Sequence, residues 1–437
     1  MPAVKDTLRQ AKTKVSIVYE GLDSGRACGY NLDIRWTHTK RGKSKEKPKA
    51  WQVQLQANSA VPCSLSDNAA FRSGKIAESF NYFRYHFTEP NRISTAPSLS
   101  SLRLLIPLVS QFEPLQHAVT LLSATHRQCG TTERMSLRSE ALKSLYNNLS
   151  DSQPQLVLAT VLVLLSSESV ESGYGAWRTH LFGVKTILDG MYKAEKDSKG
   201  LQDQLQRAFI FQFYWWDTMG ALLSVQEPVL PSILLKNAIS ASTAQGISQS
   251  HSSVYDDFGC SEEIFWVMNQ LAHGEKTLDD INEMSTTNRL GPDQQTVPTE
   301  QMHLERIWTS GLLTYAFLRS PPYSAPPAQY RLNAREVFKH ASYLDPKSNS
   351  RKKLLFPLII ACSDSSDPEI RGFLEEYCLR CFEETKFGYF KLGLDIVRRV
   401  ATLRENEGRE RKAISGLAYS CWRNVTATSA ASHVMLA

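Results

Sequence analysis

The chain has 437 residues, 42% hydrophobic and 22% charged, which is long enough to bury a large core and typical of soluble globular proteins. Its first residues, MPAVKDTLRQAKTK, lack the apolar stretch and small-residue cleavage pattern of a secretory signal. The longest apolar run, LVLATVLVLL over 156–165, is well short of the roughly 20 residues that span a bilayer, so no membrane association is expected.

The net charge of +6 is unevenly spread. Residues 1–50 carry 12 Lys and Arg against 5 Asp and Glu, so the remainder of the chain is close to neutral. A basic arm ahead of a neutral body suggests an acidic partner or an import receptor for the arm alone.

In chain order, residues 1–27 are polar and weakly patterned, and 37–75 are rich in Lys, Ser, Gln, Asn and Pro, so a flexible, largely disordered linker is expected there. From about residue 76 helical periodicity takes over. The stretch 102–128 carries an apolar stripe through Leu105, Leu108, Val109, Phe112, Leu115, Val119 and Leu122, interrupted at Pro107 and Pro114. The stretch 134–149 puts Leu137, Ala141, Leu142, Leu145 and Leu149 on one face. Pro154 suits the first turn of the next helix, with Ser152 as a nearby cap. Because 156–165 is apolar on every side, it is expected to be the most buried helix.

A helix over 177–188 is expected to stop at Gly190, and one over 204–225 is dense in aromatics from Phe209 to Trp216. Residues 226–261, with Pro228, Pro231 and a polar run, are expected to form a mobile surface insertion. Further helices are predicted over 262–273, 302–318, 333–344, 353–362, 368–384 and 389–403. Asp367-Pro368 marks a start and Gly388 a stop. Strand-like alternation with hairpin turns is missing throughout. The expected fold is all-α: a large multi-helix body behind a basic arm.

Catalytic signatures are absent: the sequence has no phosphate-cradling glycine loop, nucleophile elbow or dinucleotide fingerprint. The ten histidines form no ligand set. His117 and His126, and His180 beside Arg178, have packed or hydrogen-bonded roles as their ordinary reading. Aromatics at 209–216 could line a pocket, but core packing is the commoner role. Eight cysteines, at 28, 63, 129, 260, 362, 378, 381 and 421, show no framework spacing and suit buried free thiols. Cys378 and Cys381 have Cys-x-x-Cys spacing inside a helical pattern with no second pair nearby, so a structural role is expected.

The densest functional signal is the run CGYNLDIRWTHTKRGKSKEKPK over 28–49. Its Arg35, Lys40, Arg41, Lys43, Lys45, Lys47 and Lys49 could contact phosphates or an import receptor; a solvated linker is the plain alternative. Only Trp36 and Trp51 could stack bases, which disfavours single-strand binding.

The segment Cys28, Gly29, Tyr30, Leu32, Arg35 and Trp36 resembles the exit of a fungal binuclear zinc cluster, with Cys28 matching the last of six ligands. The body resembles the fungal-specific transcription factor domain through four stretches: 115–127 with 141–145; 158–162 through Trp177-Arg-Thr-His-Leu181, Gly183 and Ile187-Leu188; Trp216-Asp217; and 354–361 with Asp367-Pro-Glu and Phe387-Gly-Tyr389. The resemblance divides the chain into a cluster-exit remnant (1–36), a basic linker (37–75) and a helical domain (76–425). It implies a nuclear regulator of RNA polymerase II genes, often of a metabolic or biosynthetic pathway, whose relatives read DNA with the zinc cluster.

The other five ligands have no counterpart upstream of Cys28. The expectation is therefore a regulator without an intact cluster and without a cofactor, zinc entering only if the cluster is completed upstream. It would act with the transcriptional machinery or a complete zinc-cluster partner, as a homo- or heterodimer, with sequence-blind DNA contact at most. Two alternatives stay open: a complete zinc-cluster factor with a truncated or mis-spliced first exon, and an all-α ligand-binding or enzymatic protein built around His180, Arg178 and the 209–217 helix.

Overall fold

The computed structural model describes residues 74–88, 102–149, 152–172, 177–195, 204–224, 226–244, 257–277, 279–281, 299–319, 327–348, 350–363 and 367–410. Every regular element among them is helical, as the periodicity predicts. Helix α1 (Gly74–Phe83) runs into a π-helical turn (Arg84–Thr88). The predicted 102–128 stripe is divided: a 3₁₀ turn (Arg103–Leu105) leads into α2 (Ile106–Val109), and α3 (Glu113–His126) restarts with Pro114 in its first turn. A proline is welcome there because its missing N–H would have no partner in the helix.

Helices α4 (Thr131–Asn148) and α5 (Pro154–Glu171) follow. Fourteen of the 18 residues of α5 are buried, so it is a core helix of the body, as its lack of a polar face requires. Its N-cap is Gln153 with no side-chain cap, and the Ser152 hydroxyl instead bonds back to the Asn148 carbonyl. Helix α6 (Trp177–Glu195) passes straight through Gly190. Ile187, Leu188 and Met191 are all buried, and that continuous apolar face carries the helix past the predicted stop.

Helix α7 (Gln204–Ser224) is core throughout: Trp215 stacks on Phe258 with centroids 4.3 Å apart and meets Phe265 and Trp308 edge-on. Offset and edge-to-face contacts of this kind add about 0.5–1.5 kcal/mol each beyond burial. The polar 226–261 stretch is not simply a surface insertion. Residues 232–244 form α8 (Ser232–Ala244), with Leu234, Leu235 and Ala238 buried, and 226–231 are held by α7 as described below.

Helices α9 (Glu262–Ala272), α10 (Glu300–Arg319), α11 (Pro327–Tyr343), α12 (Leu355–Ser363), α13 (Pro368–Thr385) and α14 (Tyr389–Glu410) complete the chain. The Asp367 carboxylate caps α13 by accepting from the Glu369 N–H at 2.9 Å. One group packs α3 against α1, α4 and α5, and a second packs α10 against α11 and α12, with α12 also on α14. Helices α7 and α9 lie between them, α7 against α5 and α9 against both α7 and α10. The Tyr315 hydroxyl donates to the Leu222 carbonyl at 2.7 Å, tying α10 to α7.

Candidate functional site

Cys28, Arg35, Lys40, Arg41, Lys43, Lys45, Lys47 and Lys49 lie outside the described residues. The polar groups singled out around α5, α6 and α7 lie within the described residues. Trp177 is fully buried against α7. The Arg178 guanidinium donates to the Glu227 carbonyl at 3.0 Å. His180 faces Glu168 at 3.4 Å, and both side chains are largely buried.

Asp217 is completely buried, and its two carboxylate oxygens accept from the N–H groups of Val229 (2.9 Å) and Leu230 (2.6 Å). The Tyr214 hydroxyl donates to the next carbonyl, Pro231. Burial outweighs these two bonds and raises the Asp217 carboxyl to about 6. Arg178, Tyr214 and Asp217 together fasten the segment 226–231.

A real concavity lies where the C-terminal helices meet the ends of α3 and α5. Its volume is about 420 Å³. The turn between α13 and α14 forms one wall. Lys386 closes α13 in the left-handed conformation (φ 59°) and its N–H bonds to the Phe382 carbonyl. Gly388, predicted as the stop, is needed for a different reason: a β-carbon on it would fall 2.4 Å from the Glu171 carbonyl oxygen. That closeness lets the Gly388 N–H donate to the Val170 carbonyl at 2.8 Å, satisfying the end of α5.

The same turn is tied to α3. His126 sits between the Thr385 carbonyl (Nε2, 2.7 Å) and the Tyr82 hydroxyl (Nδ1, 2.9 Å). A carbonyl can only accept, so Nε2 carries the proton and Nδ1 accepts from Tyr82. Burial lowers the basicity of His126 and keeps it neutral in this role.

Around the concavity, Glu171 is neutralised by Arg134 (3.2 Å) and Arg138 (2.6 Å). Lys391 lies 3.7 Å over the Phe382 ring, with Lys386 5.8 Å from it. Asp395 is the other acid on its lining.

A second groove, about 570 Å³, runs between α1, α3 and α4 past His117, Thr120 and Leu137. The Lys75–Glu133 ion pair (2.9 Å) belongs to its lining.

Cys260, Cys362, Cys378 and Cys381 are buried and form no disulfide with one another. Burial pushes the Cys378 thiol well up and Cys381 to about 11, so both are protonated, as packed thiols are. Among the described residues no group of three or more His, Cys, Asp or Glu is placed to hold a metal ion.

Thr125, Lys386, Lys391 and Gly388 escaped sequence reasoning as a set because they come from two distant stretches. The Gly388 stop and the Phe387-Gly-Tyr389 resemblance pointed at this turn, without giving its partner.

Residues 78–289 match the family model of the fungal specific transcription factor domain. This stretch is just under half of the chain. The resemblance read from sequence over 76–425 is thus matched for α1 through α9, while its fourth stretch, at 354–389, lies beyond the match. The acriflavine sensitivity control protein acr-2 of Neurospora crassa is 22% identical over 138 residues, which are 28% of this chain and 23% of that protein. The similarity therefore spans less than a quarter of that relative. No solved structure matches the chain.

Proposed function

We propose that the protein is a nuclear regulator of RNA polymerase II genes, in a metabolic or biosynthetic pathway, whose helical body is the regulatory part. The observation that carries this reading is the transcription-factor domain match over 78–289. It performs no catalytic step and needs no cofactor.

Sequence-specific DNA reading then comes from a complete zinc-cluster partner, with which the chain dimerises. Cys28 is a remnant rather than a ligand, because one thiolate cannot replace six. The run from Arg35 to Lys49 adds phosphate contacts or recruits an import receptor, and any DNA binding by it weakens steeply with salt.

The test is to locate the tagged protein in its native host and compare transcripts with and without the gene. Nuclear accumulation with a defined set of altered transcripts is expected. Exclusion from the nucleus together with unchanged transcripts would sink the reading. Replacing Lys40, Arg41, Lys43, Lys45, Lys47 and Lys49 by Gln should lower nuclear accumulation. Two zinc ions per purified chain would overturn the partner mechanism alone.

A further inference from the structure

We propose that the concavity between the α13–α14 turn and the ends of α3 and α5 is a binding site for a small organic anion bearing carboxylate or phosphate groups. Three independent features converge on it. First, α14 is 22 residues long and starts at this wall with no acidic residue in its first turn. The N–H groups of Gly388, Phe390 and Leu392 are bonded to carbonyls, so the helix presents the positive end of its macrodipole, which its own first turn leaves uncompensated.

Second, Lys386 and Lys391 line the concavity, and neither has a carboxylate within 4 Å among the ion pairs of the described residues. Both rest near the Phe382 ring, which orders two ammonium groups without neutralising them. Arg134 and Arg138 offset Glu171, and Asp395 is the only other acid on the lining. The balance of fixed charge around the concavity is thus positive.

Third, Thr125 lines the same space and is 4% exposed, yet its hydroxyl has no hydrogen-bond partner. A buried hydroxyl left unpaired costs about 1–3 kcal/mol. An anion oxygen would relieve that cost. Val170 and Leu392 supply an apolar floor, so the preferred ligand has a short hydrocarbon portion as well as its charge. At about 420 Å³ the space suits a metabolite rather than a macromolecule.

The site also bridges the family-matched helices to those that follow. A bound anion would hold Lys386 and Lys391 against Thr125, and so α13 and α14 against α3. It stands apart from the DNA question, and its test does not involve transcription.

Citrate and, separately, inorganic phosphate are titrated into the purified full chain by calorimetry. The variants compared are Lys386→Gln with Lys391→Gln, Thr125→Val, and Lys236→Gln, an exposed lysine on α8. Saturable binding of at least one probe is expected. It should weaken tenfold or more in the double variant, weaken in Thr125→Val, and be unchanged in Lys236→Gln. Tighter citrate than phosphate identifies a carboxylate ligand, and the reverse a phosphorylated one. Saturable binding of neither probe, or equal binding by the double variant, overturns the proposal. Circular dichroism of each variant shows that lost binding does not reflect lost fold, since both lysines are exposed.

Discussion

The Trp177 indole occupies the space that a β-carbon on Gly220 would need: the added atom would lie 2.6 Å from two ring carbons. Helices α6 and α7 are therefore packed to the limit that a hydrogen side chain permits. Gly220→Ala should destabilise the protein by about 1–3 kcal/mol through overpacking, even though alanine favours the helix by about 1 kcal/mol. Urea denaturation checks this. An unchanged midpoint would show that the indole can swing aside.

Asp217→Ala should cost more, because two buried N–H groups then lose their acceptor, at about 1–3 kcal/mol each. The pH dependence separates charge from hydrogen bonding. The carboxyl rises from 3.8 in the unfolded chain to about 6 when folded, so the folded state holds its proton more tightly. Its contribution to stability is fully present below about pH 4 and is lost as pH rises through 6. The penalty of Asp217→Asn should accordingly shrink between pH 4.5 and pH 7, read as the difference in unfolding midpoint. A difference that is constant, or that grows with pH, contradicts the burial argument.

Two glycines of the C-terminal helices should respond in opposite directions. Gly388→Ala drives a β-carbon into the backbone at Glu171, where nothing flexible can yield, and should lower stability by at least about 3 kcal/mol. Gly372→Ala, inside α13 with open space around it, should raise stability by about 1 kcal/mol. Thermal melts of the pair give the comparison directly. Equal shifts would mean that the α5 contact is dispensable.

Tyr82→Phe removes the donor to His126 Nδ1 and should cost about 1 kcal/mol. Burial lowers the His126 basicity in the folded state, so its contribution is present above the ordinary value of 6.5 and is lost as pH falls below it. His126→Gln should therefore flatten part of the acid-side loss of stability near pH 6. If wild type and variant lose stability in parallel there, His126 is not the group responsible.

Helix positions were legible because apolar spacing in 137–145, 156–165 and 389–400 is set by burial, which the sequence records residue by residue. What misled was punctuation. Gly190 looks like a stop, yet the apolar face of α6 continues beyond it. The polar, proline-bearing stretch after residue 225 looks free, yet Asp217, Tyr214 and Arg178 fasten its start from helices upstream. Gly388 was noticed for the wrong cause: its backbone torsions are ordinary, and its value lies in a neighbour more than 200 positions away. Long-range closeness of this kind leaves no periodic mark, which is also why Thr125, Lys386 and Lys391 could not be grouped beforehand.

The hydrogen bond from Gly388 to Val170 and the His126 bridge to Thr385 together cross the edge at which family likeness stops. A fragment ending at residue 289 would keep every helix of the matched region, but the carbonyl at the end of α5 and the ring of His126 would each lose a partner. Phe87, stacked on Phe387, would lose its cover. The segment that evolution labels is thus smaller than the segment that must fold as one piece, and truncations designed on the label will melt from the α3–α5 end.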